Sequence, residues 1–314
     1  MLLLDKADVD RKLKLLRQEL TEKATIEELR GWNYDKPPIQ PLSRSIKFGV
    51  SELAGRYCET LRDIYLKKVL GLKPPPNVKM IRGIALHETI KDAISDVKKF
   101  IYNNQNATGT ELVTEFLPKA ERAGWDAASK AELSINILEQ NQKDELVKEC
   151  ASFYNFLIIQ AAAKFDYALS KYPHAEPDSI VSVAVPPVTE RKVDGTLVGL
   201  ASELSVDMYT PYNAIIDFKT GEIRHFHPLT AAGYALAIES EENIPIDFGF
   251  IVYMKFERKV PSFTIRYFVV GDELRREFLE VRDEAFEIVD SGRDPGISNK
   301  CQDFCPYYQL CRKS

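Results

Sequence analysis

The apolar positions change their spacing once along this chain. Up to about residue 178 they recur at helical intervals, and beyond it they alternate or run on in short β-branched stretches. Residues 7–31 carry a stripe of Leu13, Leu15, Leu16 and Leu20, which predicts a helix. A proline-rich linker, 33–45, follows. Ser51 and Glu52 then open a helical pattern that Gly71 ends, with Cys58 on it or at a break in it. The next helix, MIRGIALHETIKDAISDVKKFIYNN, has Gly83 and His87 on one face. A long, mostly helical region runs from Glu111 to Tyr172, where Pro173 and Pro177 stop it.

From Ser179 the pattern reads as strand. SIVSVAVPPV, TLVGLASELSVDMY and NAIIDFK are rich in Val, Ile and Thr, and Asp194-Gly195 marks a hairpin turn. A helix over Leu229–Glu239, two more strands (DFGFIVYMKFE and SFTIRYFVV) and an amphipathic helix from Gly271 to Gly292 complete the order. Helices, then a sheet interrupted by one helix, then a helix and a cysteine-bearing tail predict an α/β (α+β) fold with a mixed central sheet flanked by helices. The expected organisation is 1–45, an N-terminal helical segment and linker; 46–100, a helical part with Cys58 and His87; 101–178, a helical insertion; 179–295, a core sheet; and 296–314, a cysteine tail.

Composition adds limits. The chain has 314 residues, 45% hydrophobic and 28% charged, enough for a buried core. A net charge of −5 argues against a general nucleic-acid coat but allows a local basic groove. No apolar run is long enough to span a membrane, and the start, MLLLDKADVD, is charged too soon for a signal peptide. The expectation is a soluble, cytoplasmic protein with no membrane partner. Its 5 cysteines are unevenly placed and do not look like a disulfide framework.

The chemistry concentrates at Asp207 and at Asp217-Phe218-Lys219-Thr220-Gly221. On a strand, Asp217 and Lys219 share a face, while Phe218 points away and leaves its carbonyl free as a further oxygen ligand. By the same rule Glu203 and Asp207 share a face of their strand. Two carboxylates on paired strands make a site for Mg²⁺ or Mn²⁺, the ions that serve phosphodiester hydrolysis, and Lys219 orients water or balances phosphate charge. Alone, such a triplet also fits a solvated ion pair. The apolar run NAII before it and the second acidic strand weigh toward a site. His87 is a further candidate ligand, and Gly83, one turn earlier, permits close helix approach. His225 and His227 lie nearby without a clear role, and His174 reads as surface.

Cys301, Cys305 and Cys311 crowd the C-terminus. Three thiolates at such spacing bind a soft metal with a fourth ligand from elsewhere, and Cys58 is the obvious one. Four thiolates suit a 4Fe–4S cluster or a structural Zn²⁺, and the Cys305-Pro306 pair leans toward iron–sulfur. Cys150, in an apolar helical stretch, reads as core. Arg56, Arg62, Lys67, Lys68 and Arg224 are candidate DNA contacts.

The series Cys58, R-G-x-x-x-H ending at His87, Asp207, D-x-K-T-G at Asp217–Gly221, Tyr234 and the cysteine trio resembles the RecB-like PD-(D/E)xK nucleases that carry an iron–sulfur staple. Among these it is similar to the CRISPR-associated exonucleases of the fourth Cas family, in the longer archaeal variant of type I-A systems. The resemblance implies a restriction-endonuclease-like core and metal held by His87, Asp207, Asp217 and the Phe218 carbonyl. It implies Lys219 as the catalytic lysine, Tyr234 as a residue touching DNA, and a 4Fe–4S cluster on Cys58, Cys301, Cys305 and Cys311. It also implies action on single-stranded DNA ends or overhangs of spacer precursors, alongside CRISPR integrase subunits, with a homo-oligomer left open. Two departures stand out: Thr230 occupies the family's glutamine position, and the first tail spacing is C-x3-C rather than C-x2-C.

Overall fold

The computed structural model describes residues 6–75, 77–104, 107–132, 137–185, 188–210, 213–257, 260–301 and 305–313. The first helices are α1 (Lys6–Glu22), α2 (Val50–Ala54) and α3 (Arg62–Ile64), the last running into a π-turn over Tyr65–Val69. A helical bundle follows: α4 (Val78–Asn103), α5 (Gly109–Phe116), α6 (Ala120–Glu132), α7 (Gln140–Lys171) and α8 (Pro177–Ala184). Next come β1 (Val188–Val193), β2 (Leu204–Thr210), β3 (Ala214–Lys219), α9 (Leu229–Glu242), β4 (Phe248–Glu257), β5 (Val260–Val269), α10 (Asp272–Ser291) and α11 (Tyr308–Lys313).

The sheet order is β1-β2-β3-β4-β5, and only the β3/β4 pair is parallel. A parallel pair needs a crossover, and α9 supplies it. The expected mixed α/β class is what the structure shows. β3 lies between two cores, which explains its run of apolar residues. Ala214, Ile216 and Phe218 pack with Phe250, Val252 and Met254 against the bundle residues Phe153 and Leu157. Ile215 packs on the opposite side with residues of α9 and α10, including Phe278 and Phe286.

A buried charge network holds α9 in place. Glu239 is fully buried and accepts from Arg275 Nη1 at 2.7 Å and Nη2 at 2.8 Å, from Arg30 Nη1 at 2.9 Å, and from the backbone N–H of Gly31 and Ile246. The helix, its neighbour α10 and the segment after α1 therefore meet at one carboxylate. Gly31 is required there, since a Cβ would stand 2.1 Å from the Leu236 carbonyl oxygen. Arg282, also buried, donates to the carbonyls of Pro38, Ile39 and Val198 and pins the proline-rich linker.

Four expectations change. The first helix ends at Glu22 rather than 31, because Arg30 and Gly31 turn in toward Glu239. The helix expected from Ser51 to Gly71 is broken after Ala54, with Arg56 and Leu61 in left-handed conformations, and Cys58 lies in the break. SIVSVAV forms α8 instead of a strand. Pro177 sits at its first turn, and Ile180, Val181 and Ala184 are buried at helical spacing, which outweighs β-branched content. Pro186 and Pro187 lie outside the described residues. Asp194-Gly195 is not a tight hairpin turn: a 3₁₀ turn over Thr196–Val198 extends the link between β1 and β2.

Replacing Glu239 by Gln is expected to lower stability by about 3–5 kcal/mol, since it strands buried guanidinium charge. The surface variant Glu115→Gln, at an exposed pair with Lys119, is expected to cost less than about 0.5 kcal/mol. Urea unfolding of both variants at neutral pH checks the contrast.

Candidate active site

β2 and β3 pair antiparallel through Met208↔Ile216, and the next residues toward the open end are Asp207 and Asp217. Here a side chain replaces a ladder carbonyl: Asp207 Oδ2 accepts the Phe218 N–H at 2.8 Å. Asp207 lies within β2. Its other oxygen, Oδ1, faces His87 Nδ1 at 3.4 Å, on the third turn of α4. The His87 ring also meets Phe218 edge-on, with centroids 6.3 Å apart. Gly83 is not what allows this approach, because a Cβ there would make only an ordinary 3.5 Å contact with Thr220.

Asp217 is 6% exposed. Lys219 Nζ donates to its Oδ1 at 3.1 Å. The same ammonium stands 2.9 Å from Oδ2 but off the hydrogen-bond direction, so Oδ2 is buried without a hydrogen-bond partner. The alternation expected of Asp217 and Lys219 is therefore visible as a contact. Glu203, by contrast, is exposed and precedes β2, so it does not share the Asp207 face.

These groups perturb one another. Burial pushes the Asp217 carboxyl up to about 6; Lys219 opposes the shift and Asp207 adds to it. Burial also works to raise Asp207, but the charge and hydrogen bond of His87, with the Phe218 N–H, hold it below the usual range. Burial works to lower His87 and Lys219, and the neighbouring aspartates outweigh it in both. Two carboxylates share a buried site, and one oxygen of Asp217 lacks a hydrogen-bond donor although the Lys219 ammonium stands 2.9 Å from it. That donor set fits a hard dication. Among the described residues, no three His, Cys, Asp or Glu side chains are already grouped as a metal-holding set.

A cleft opens onto Asp207, lined by His87, Ile90, Lys91, Thr189, Glu190 and Phe218. Glu190 is a residue the sequence reading missed. It has φ +50° and sits where the β1/β2 register skips a rung, between Thr189↔Met208 and Arg191↔Val206. Lys91 Nζ stands 3.5 Å from its carboxylate. Nothing in the local pattern marks a left-handed acidic residue inside a strand, so no sequence signal points to it.

Tyr234 is close enough for Asp207 and Asp217 to raise its phenol, after burial, the largest cause. Its hydroxyl donates to the Ser205 carbonyl at 2.7 Å. Thr230 is buried, 4% exposed. Among the basic candidates, Arg62 is buried and donates to Asp294 at 2.9 and 2.8 Å. Lys67 and Lys68 pair with Glu52, and Arg224 pairs with Glu222. Arg62 is thus a structural clamp, and the lysines are already engaged. His174 is exposed, and Cys150 is a fully buried core residue whose thiol is pushed up to about 11 by burial.

The remaining cysteines gather from both ends of the chain. Cys58, Cys305 and Cys311 are buried, Cys301 is half-buried, and all are free thiols. Burial pushes Cys305 up to about 12, and Cys58 and Cys301 add to it. Burial raises Cys311 as well, Arg62 opposes, and the same two cysteines again contribute. Cys58 and Cys301 therefore lie within electrostatic reach of both Cys305 and Cys311. Leu66 and Tyr307 pack beside Cys305 and Cys311, and Tyr307 donates to the Leu72 carbonyl at 3.0 Å. Tyr57 packs on this group, and its buried phenol also senses Lys219 and Asp217, so it lies between the two centres.

Residues 2–314 match the family model of CRISPR-associated exonuclease Csa1. A CRISPR-associated exonuclease Csa1 from Saccharolobus solfataricus is 35% identical over 286 residues, 91% of each chain. One from Thermoproteus tenax is 31% identical over 285 residues, again 91% of each.

In metal-free protein, a folded-state carboxyl held near 6 at Asp217 contributes stability below pH 3.8 that is lost as pH rises through 6. The stability difference between the parent and Asp217→Asn is expected to shift against the parent by roughly 1–3 kcal/mol between pH 4 and pH 7. Urea midpoints of the two proteins, measured across that range in chelator, provide the check.

Proposed function

The chain belongs to the CRISPR-associated exonuclease Csa1 family, and on that premise we propose that it is a metal-dependent deoxyribonuclease that trims spacer-precursor ends in CRISPR adaptation. One observation carries the reading. Asp207 and Asp217 lie side by side on paired strands with Lys219 on Asp217, and one buried carboxylate oxygen has no hydrogen-bond partner.

His87, Asp207, Asp217 and the Phe218 carbonyl are the groups that would hold Mg²⁺ or Mn²⁺. Bound there, such an ion supplies Lewis-acid stabilisation of phosphate charge and a water acidic enough to attack near neutral pH. The chain's own groups do the rest. Asp207 orients the His87 imidazole and, through the Phe218 N–H, fixes the strand that carries Asp217 and Lys219. The Lys219 ammonium, held by Asp217, offers a cation to a phosphate oxygen or to the attacking water. Loading of such an ion would release protons, because His87 is biased toward its charged form and Asp217 toward its neutral one.

Cys58, Cys301, Cys305 and Cys311 would hold a 4Fe–4S cluster. Its role is to staple the C-terminal tail to the segment after α2, beside Tyr57 and the active site. Single-stranded ends or overhangs are the substrate class, and the CRISPR integrase subunits are the partners that follow from the family. A second reading, a weakly active or inactive DNA-binding subunit, is favoured by Thr230 being buried at the family's glutamine position and by the Tyr234 hydroxyl being engaged with Ser205.

The test is a nuclease assay on tailed duplexes with anaerobically purified protein. Cleavage is expected with Mg²⁺ or Mn²⁺ and not with chelator, and to fall roughly 100- to 1,000-fold in Asp217→Ala and Lys219→Ala. Parent-like cutting by both variants sinks the site. A parent that binds overhangs yet stays inert with either metal supports the second reading. Iron and sulfide of about four each per chain are expected in the same sample. Colourless protein with zinc replaces the cluster by a zinc staple and leaves the nuclease reading standing.

A further inference from the structure

The loop between β3 and α9 carries two histidines that the carboxylate site does not use. His227 turns inward and stacks on Tyr253, with ring centroids 5.5 Å apart and planes at 30°. Its Nδ1 accepts the Arg224 backbone N–H at 3.4 Å and stands 3.1 Å from the Tyr253 hydroxyl. An Nδ1 that accepts from a backbone donor carries no proton, so the neutral ring keeps its N–H on Nε2 and the tyrosine hydroxyl donates to Nδ1. The hydroxyl oxygen is then free to accept. Arg266, an exposed residue of β5, stands diagonally across from Tyr253 on the same face of the sheet, since Tyr253 pairs with Thr264 and Ile251 with Arg266, and its charge bears on the phenol.

This Tyr253–His227 stack sits beside the active site. Tyr253 is the register partner of Lys219 across the parallel β3/β4 pair, so the two backbones are about 4.8 Å apart. Lys219, Arg224, Arg266 and His225 all bear on His227 electrostatically, which makes this the cationic side of the carboxylate pair. The Arg266 guanidinium and the His227 Nε2–H are donors near the strand register that carries Lys219, a donor set suited to phosphate oxygens.

We propose that Arg266, Tyr253 and His227 form a phosphate-binding subsite that takes the phosphodiester adjacent to the one held at Asp217 and Lys219. The subsite reads backbone and not bases, so it positions a DNA strand of any sequence. Arg266 and His227 touch the phosphate, and Tyr253 holds His227 in place. This rests on the nuclease reading and deepens it.

The test measures binding without catalysis. Fluorescence anisotropy with a labelled single-stranded oligonucleotide is read in chelator for the full-length parent, Arg266→Gln, His227→Gln and Tyr253→Phe. Arg122→Gln, at a guanidinium on α6 with 88% exposed side chain, serves as the control for general charge. A series of oligonucleotides carries one uncharged methylphosphonate at successive positions from the end. Arg266→Gln is expected to weaken binding about tenfold and reduce the slope of log affinity against log salt by about one. For the parent, one methylphosphonate position is expected to cost about as much, and that position costs Arg266→Gln nothing further. Parent-like affinity in Arg266→Gln, an equal loss in Arg122→Gln, or additive losses at every phosphate position overturns the subsite alone. A parent that neither binds nor, with metal restored, cuts the oligonucleotide removes the nuclease reading and the subsite together.

Discussion

The bond from the Phe218 N–H to the Asp207 carboxylate is the contact on which the site depends. It occupies a place where a β-ladder would normally use a backbone carbonyl, so β2 and β3 stay joined while a charged group is brought to the sheet's open end. The consequence is two aspartates forced together, with Asp217 almost fully enclosed. Like charges at short range in a dry place are costly, and the structure leaves the debt visible in a carboxyl biased toward protonation and an oxygen without a donor. Lys219 and His87 offset part of it.

The rest of the fold serves to hold that strained pair still. α9 bridges β3 to β4, and Glu239 locks it through Arg275, Arg30 and two backbone donors. The bundle helix α4 brings His87 from the other side of the sheet. The tail is clamped to the broken helix by Arg62 on Asp294 and by Thr60 on the Gly296 carbonyl at 2.7 Å, which gathers the four cysteines. Tyr57, partly buried, packs on the cysteine group and senses the charges of Lys219 and Asp217, so it lies between the two centres.

Much of this was legible in the sequence, for identifiable reasons. β3 is buried on both faces and therefore reads as a solid apolar run, and the acid that ends it is conspicuous. The period-2 rule placed Asp217 and Lys219 together, and thiols at both chain ends suggested a shared centre. What escaped notice depends on long-range contacts. Arg62 looked like a surface charge because Asp294 is remote in sequence. Glu190 is set by a skipped rung, and α8 by burial against the bundle rather than by local preference. The Tyr253–His227 pair, with Arg266 diagonally across on β5, brings together a loop and two strands that no spacing rule relates.

The central claim is that the two aspartates form a dication site and not an isolated ion pair. Isothermal titration calorimetry of Mn²⁺ into chelator-treated protein near pH 7, in buffers of different ionisation enthalpy, tests it most directly. The account predicts saturable binding with net proton release, abolished in both Asp207→Asn and Asp217→Asn. Binding that is absent in the parent, or unchanged in both variants, would contradict it.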